Sequence, residues 1–194
     1  MTEKAITEAV KLLADGGTVV YPTETVYGIG ASIYIPQAVE RVFEIKGRDR
    51  KMPLSVAVAS FEMMGQIARL DEDDLVLLRK VLPGPITVLV EKSPDLSDLV
   101  TAGSPLVGIR FPDHPMALEL IARAGPITST SANLSGQPPP ASLEELDPEI
   151  AEKVDLILDG GRGRLARPST LVDLAKRKVI REGAGMERLR ELLG

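Results

Sequence analysis

Thr18-Val19-Val20-Tyr21-Pro22-Thr23-Glu24-Thr25-Val26-Tyr27-Gly28-Ile29-Gly30 opens with a β-branched run and meets a proline four residues in. β-Branched residues suit a pleated, half-buried surface, and Pro22 has no N–H to give to a central ladder. The spacing therefore predicts a strand that stops at Pro22 and a loop that starts there. Loops at strand ends are where sites are built. In this one Thr23 and Thr25 supply hydroxyl donors and acceptors, while Gly28 and Gly30 let a backbone or ligand come close. A polar turn between two core segments would carry the same residues, so these thirteen positions alone leave site and turn both open.

Upstream, Ile6, Val10 and Leu13 recur at helical spacing over residues 3 to 15, and Gly16-Gly17 stops the helix. Downstream, Pro36 can start a second helix with Val39, Val42 and Phe43 on one face, ending near Lys46. Leu54 to Ala59 reads as a strand, and Ser60 caps a helical segment through Leu70. Asp71-Glu72-Asp73-Asp74 fits the first turn of a helix, where carboxylates complement the dipole, better than a metal site. Ile86 to Val90 and Leu106 to Phe111 read as strands, the second delivering Arg110 near its end. A helix from Pro115 to Ala124 follows, with His114 as its cap, and then a short strand from Ile127 to Thr130. Ser142-Leu143-Glu144-Glu145 matches a capping box after the proline run Pro138 to Pro140, which reads as a rigid loop over the site. Val154 to Leu158, Thr170 to Leu174 and Lys178 to Arg181 complete the strands, and a helix runs from Gly185 to Leu193. Strands and helices interleave irregularly. That favours an α/β domain built on a mixed sheet over a strict doubly wound one.

At 194 residues the chain fits one sizeable core, so residues 1–194 are expected to form a single domain. Hydrophobic content of 44% against 26% charged is that of an ordinary globular chain, and no apolar run approaches the ~18 residues of a spanning helix. The first residues lack the layout of a signal peptide, which points to the cytoplasm. With no cysteine and one histidine, a disulfide framework, a thiolate nucleophile and a zinc cluster are excluded, and no metal ligand set is expected. Net charge is -5, yet basic residues gather at Lys46 to Lys51, Arg162 to Arg167 and Lys176 to Arg181. Such runs usually mark solvated faces and justify only a suspicion of an anionic ligand. Neither a P-loop nor a complete dinucleotide turn occurs, so a phosphate site would have to be built from side chains and loop amides. Lys46 as a point charge and Arg48 as a fork suit phosphate oxygens, with Arg50 close by. Asn133 is the only asparagine and lies among Thr128, Ser129, Thr130, Ser131 and Ser135, hydroxyls that call for partners in a semi-buried loop.

Three stretches together resemble the YrdC-like family, the threonylcarbamoyl-AMP synthases: Pro22-Thr23-Glu24-Thr25 with Tyr27-Gly28, Lys46-Gly47-Arg48 with Pro53-Leu54, and Ser131-Ala132-Asn133 with Ser135-Gly136. Gly108 to Pro115, Asp159-Gly160-Gly161 and Pro168 to Asp173 follow the family in the same order, so the resemblance covers about Gly17 to Gly183. It implies a single α/β domain with a twisted, open mixed sheet and a concave substrate face. It also implies a reaction in which L-threonine, bicarbonate and ATP, the last with Mg²⁺, give threonylcarbamoyl-AMP and pyrophosphate, the first step of a tRNA modification. The nucleophile then belongs to the substrate, and the protein aligns partners and offsets charge on the α-phosphate. Carried over by position, Lys46, Arg48, Ser131 and Asn133 look catalytic, and these with Arg50 and Arg181 look ATP-binding. Thr23, Thr25, Arg110, Ser129 and Ser169 look like contacts to threonine, Arg110 as the carboxylate clamp.

Asp49 and Pro139 depart from the family pattern, which bears on the phosphate contacts. The resemblance also implies downstream threonylcarbamoyl transferase proteins, with direct tRNA binding weak. An alternative is an RNA-binding protein of the same fold, disfavoured by 3% aromatic content and no tryptophan for stacking. A sister branch of unsettled activity is the third reading.

Overall fold

The computed structural model describes residues 2–193, with side chains described from 3 to 189. Strands β1 (Val19–Tyr21), β2 (Gly28–Gly30), β3 (Ser55–Ala57), β4 (Ile86–Glu91), β5 (Leu106–Arg110), β6 (Ile127–Ser131), β7 (Leu156–Ile157), β8 (Thr170–Asp173) and β9 (Lys178–Arg181) form one sheet. Its order is β7-β1-β2-β6-β3-β5-β4-β8-β9. β1 runs parallel to β7, β3 to β5 and β4 to β8, and the other pairings are antiparallel, so the mixed sheet expected from sequence is present.

Helices α1 (Thr2–Ala14), α2 (Pro36–Lys46), α3 (Phe61–Ile67), α4 (Glu72–Val81), α5 (Asp98–Thr101), α6 (Pro115–Ala124), α7 (Pro148–Lys153) and α8 (Met186–Leu193) flank it. Their ends follow local chemistry. Pro36 starts α2, and Gly47 ends it at φ 56°, the left-handed conformation that a Cβ would strain. The Ser60 hydroxyl accepts from Met63 N at the start of α3, and Asp71 accepts from Asp74 N at the start of α4. The acidic run is thus a cap and a first turn.

Two expected caps are absent. His114 occupies the N-cap position of α6, but its side chain makes no capping bond. Ser142 likewise makes none, and the Glu145 carboxylate instead accepts from Ala141 N at 2.8 Å. The loop expected to start at Pro22 is interrupted by strand β2, which is mostly glycine. It pairs with β1 and β6 all the same, since ladder bonds need no side chains.

Register places the site. Successive side chains of a strand face opposite sides, and Ile29, Val56, Val88, Ile109 and Val172 all enter one large core under α2, α3, α4 and α8. On the other face Val19, Tyr21, Ala57 and Ile127 pack against Ala9 and Leu13 of α1 and Ala117, Leu120 and Ile121 of α6. Those two helices cover only part of that face. Beyond them the same parity presents Gly28 opposite Ser131, Ser55 opposite both Gly108 and Ser129, and Thr87 opposite Arg110. These are small or polar side chains, and they floor an open cleft.

The two faces of one strand pair should therefore respond differently to truncation. Ile109→Ala, in the core, should cost about 2–5 kcal/mol of unfolding free energy. Ser55→Ala, on the cleft floor, should stay within about 0.5 kcal/mol of wild type. Urea denaturation of both variants checks this, and equal losses would mean that the cleft face is packed.

Candidate active site

The cleft holds about 590 Å³. Thr23, Thr25, Arg48, Arg110, Ser129, Ser131, Asn133, Ser169 and Arg181 all line it, drawn from segments far apart in the chain. Pro53, Leu54, Leu89 and Leu106 line it too, beside Ser55 and Gly108. A Cβ at Gly108 would come within 2.6 Å of Ser55 Oγ, so a larger residue there would push the Ser55 side chain aside.

Arg110 is 5% exposed and donates from Nη2 to Glu24 Oε1 at 2.5 Å. Its Nη1 donates to the carbonyl of Gly84. The Nε–H and the second Nη2–H make no bond within the described residues. Arg110 lines the cleft, and a carboxylate is the kind of planar acceptor that N–H groups of a guanidinium match.

The hydroxyls are less free than the sequence suggests. Thr23 Oγ1 donates to Val26 O at 2.7 Å and accepts from Thr25 N at 3.1 Å. Its 2.7 Å contact with Thr25 Oγ1 must then be a bond donated by Thr25. Thr23 is thus satisfied internally, and Thr25 can only accept from a ligand. Ser169 Oγ and Thr87 Oγ1 are partners at 2.7 Å.

Asn133 is pinned by its NH₂ group, which donates to Leu134 O at 2.7 Å and Gln137 O at 2.8 Å. Two carbonyl partners fix the amide's orientation, and the buried Oδ1 is left with no partner in the protein. An acceptor in that position does not bond a phosphate oxygen, which is also an acceptor. It fits a donor or a cation.

The basic residues divide. Arg48 lines the cleft with Nη2 on Pro53 O at 2.9 Å, and Arg181 lines it with Nη2 on Ser169 O at 3.0 Å. Arg50 does not line it: its guanidinium turns back onto Glu40 of α2 at 2.6 Å. Lys46 is absent from the lining as well. Its residue is 2% exposed rather than an exposed helix end, and Nζ donates to the carbonyls of Ser131 and, at 2.7 Å, Asn133. It therefore clamps the turn after β6. Burial first, and the nearby Arg48 second, pull its ammonium down to about 7.

Among the residues of the glycine and arginine loop, Arg162 pairs with Glu145 and Arg164 with Asp113, away from the cleft. That loop straps the threonine-rich loop instead: Leu165 N donates to Glu24 O, and Tyr27 OH to Gly161 O. Asp49 shapes its own turn by accepting from Lys51 N at 2.9 Å, and Pro139 lines the cleft directly. Among the described residues no three His, Cys, Asp or Glu side chains are grouped to hold a metal.

Sequence reasoning missed Glu24 and Tyr21. Glu24 stood within the quoted motif, but nothing local shows that its partner lies 86 residues away. Tyr21 read as the end of a strand, and its side chain proves to line the cleft.

An open cleft on one face of an α/β sheet thus brings together the Arg110 guanidinium, a cluster of hydroxyls and two further arginines. The family described as "Sua5_yciO_yrdC: Telomere recombination" matches residues 11–183, and the chain belongs to it. A threonylcarbamoyl-AMP synthase of Pyrococcus abyssi is 38% identical over 170 residues, 87% of this chain and 50% of that protein. A putative threonylcarbamoyl-AMP synthase of Methanocaldococcus jannaschii is 36% identical over 175 residues, 89% of this chain and 83% of that one. The crystal structure of P. abyssi Sua5 complexed with L-threonine superposes with a TM-score of 0.88 at 35% identity, covering 99% of this chain and 58% of that chain. The chain thus spans little more than half the length of the P. abyssi protein.

The Lys46 clamp makes a prediction opposite to that for a solvated cation. Lys46→Ala orphans two carbonyls, at roughly 1–3 kcal/mol each, and should destabilise the protein clearly. The folded pKa lies below the unfolded 10.5, so between about 7 and 10.5 the unfolded chain holds the extra proton. Stability should therefore rise with pH across that window by up to ~1.4 kcal/mol per unit. Denaturation at pH 7 and pH 9.5 should show wild type gaining on Lys46→Met. A flat difference would mean that the amine titrates as it does in water.

Proposed function

We propose that this chain is a threonylcarbamoyl-AMP synthase, joining L-threonine, bicarbonate and ATP into threonylcarbamoyl-AMP with release of pyrophosphate and water. The observation that carries the reading is the Arg110 edge, two unpaired N–H groups fixed by Glu24 and Gly84 beside a cluster of hydroxyls. The names of the P. abyssi and M. jannaschii relatives support it.

In this reading the α-carboxylate of threonine lies on Nε–H and Nη2–H of Arg110. The threonine nitrogen carries the carbamate, whose oxygen attacks the α-phosphate as pyrophosphate leaves. Arg48 and Arg181 hold phosphate oxygens and offset charge as it moves toward the leaving group. Lys46 contributes through the Ser131 to Asn133 turn rather than by touching phosphate. No protein nucleophile is needed, and the cleft's work is alignment.

The residues present fit Mg²⁺ brought in with ATP. Asn133 Oδ1 is a hard, unpartnered oxygen, and Mg²⁺ takes its other ligands from phosphates and waters. The ion would supply charge compensation on the phosphates. We assign the enzyme to the nucleotidyltransferases and place it in the cytoplasm, where ATP and tRNA are found. Its product passes to a transferase acting on tRNA. The RNA-binding alternative loses ground because Arg162 and Arg164 are already paired with carboxylates.

The test supplies ATP, Mg²⁺ and labelled bicarbonate to the protein with and without L-threonine. Label should enter an acid-labile adenylate only with threonine, and chelation of Mg²⁺ should abolish it. Pyrophosphate release indifferent to any amino acid would contradict the assignment.

A further inference from the structure

The geometry points to Tyr21 as a specificity-determining residue, whose phenol, paired with Ser129, selects a β-hydroxy amino acid over its apolar isostere. The inference deepens the reading above and rests on it for the choice of amino acid.

Tyr21 ends β1 and stands opposite Gly28 of β2, with β6 the next strand across. An aromatic side chain on the cleft face would ordinarily meet a neighbour's side chain on β2. Here it meets glycines. A Cβ built on Gly28 would lie 3.1 Å from Tyr21 Cζ and 3.3 Å from its hydroxyl, and one on Gly30 would lie 3.2 Å from Cε1. The ring can therefore lie across β2, and its hydroxyl reaches Ser129 Oγ on β6 at 3.4 Å. Both residues line the cleft.

At 3.4 Å the two hydroxyls engage each other only weakly, so each can turn to a ligand, one donating while the other accepts. The pair offers one donor and one acceptor side by side, the complement of an alcohol. No other bond engages either hydroxyl among those described, whereas Thr23 is satisfied within its own loop and Thr25 can only accept. The Arg110 guanidinium lines the same cleft. A carboxylate fork and an alcohol reader as neighbours suit a ligand that bears both groups on adjacent carbons. A site that hydrogen-bonds a hydroxyl penalises the analogue without it, because its own polar groups are then left unpaired.

Calorimetric titration of L-threonine and L-valine into the full chain tests the pair without requiring turnover. Wild type should bind threonine in preference to valine. Tyr21→Phe keeps the ring and should reduce the threonine-to-valine affinity ratio roughly three- to tenfold, the worth of one neutral hydrogen bond. Gly28→Ala keeps the phenol but displaces the ring, and should lower the ratio as well. If that variant does not fold, Tyr21→Phe alone decides. A wild-type ratio in Tyr21→Phe, or equal binding of both amino acids by wild type, overturns the inference. The synthase reading fails separately: a chain that binds threonine selectively but releases no pyrophosphate loses that reading and keeps this one.

Discussion

The Glu24 carboxylate and the Arg110 guanidinium meet at 2.5 Å with side chains 2% and 5% exposed, which makes the pair both costly and hard to dispense with. Desolvating two charges consumes most of what their attraction returns, so the pair is poor evidence of added stability. Its consequence is placement. Glu24 belongs to the loop after β1, Arg110 ends β5, and Gly84, which accepts from the same guanidinium, precedes β4. Three segments distant in sequence are thereby held at one end of the cleft. Losing either charge would leave the other buried without compensation, at about 3–5 kcal/mol. The arrangement engages one part of the guanidinium with the protein while the residue still lines the cleft.

Small side chains do the complementary work. A sheet face covered by helices carries bulky apolar residues, as Ile29, Val56, Val88, Ile109 and Val172 show on the covered side. The cleft side keeps Gly28, Ser55 and Gly108 where such residues would otherwise stand, and the volume they leave is the site. Lys46 adds a second constraint from α2, fixing two carbonyls of the turn after β6 while Asn133's NH₂ group is fixed by two more. The one polar atom of the Asn133 side-chain amide left without a partner in the protein is its buried Oδ1.

Much of this was legible from sequence because its causes are local. Pro22, Pro36 and Ser60 punctuate the chain by their own backbone chemistry, and the elements they delimit start or stop where expected, although α3 ends at Ile67 rather than Leu70. Motif resemblance brought together most of the residues that line the cleft. What failed depended on tertiary partners. Lys46 looks like a solvated cation until β6 closes over it, and Arg50 looks equivalent to Arg48 until Glu40 claims it. The capping expected of His114 and Ser142 fitted the local pattern, but neither side chain makes that bond. Strand β2 was hidden because its glycines serve the Tyr21 ring rather than a turn.

A crystal structure of the protein with L-threonine and a non-hydrolysable ATP analogue tests the central claim most directly, since that claim is geometric. The account predicts the threonine carboxylate on the Nε and Nη2 edge of Arg110, with the Glu24 pair intact behind it and the phosphates toward Arg48 and Arg181. Threonine bound outside the cleft, or an Arg110 released from Glu24 to reach the nucleotide, would contradict it.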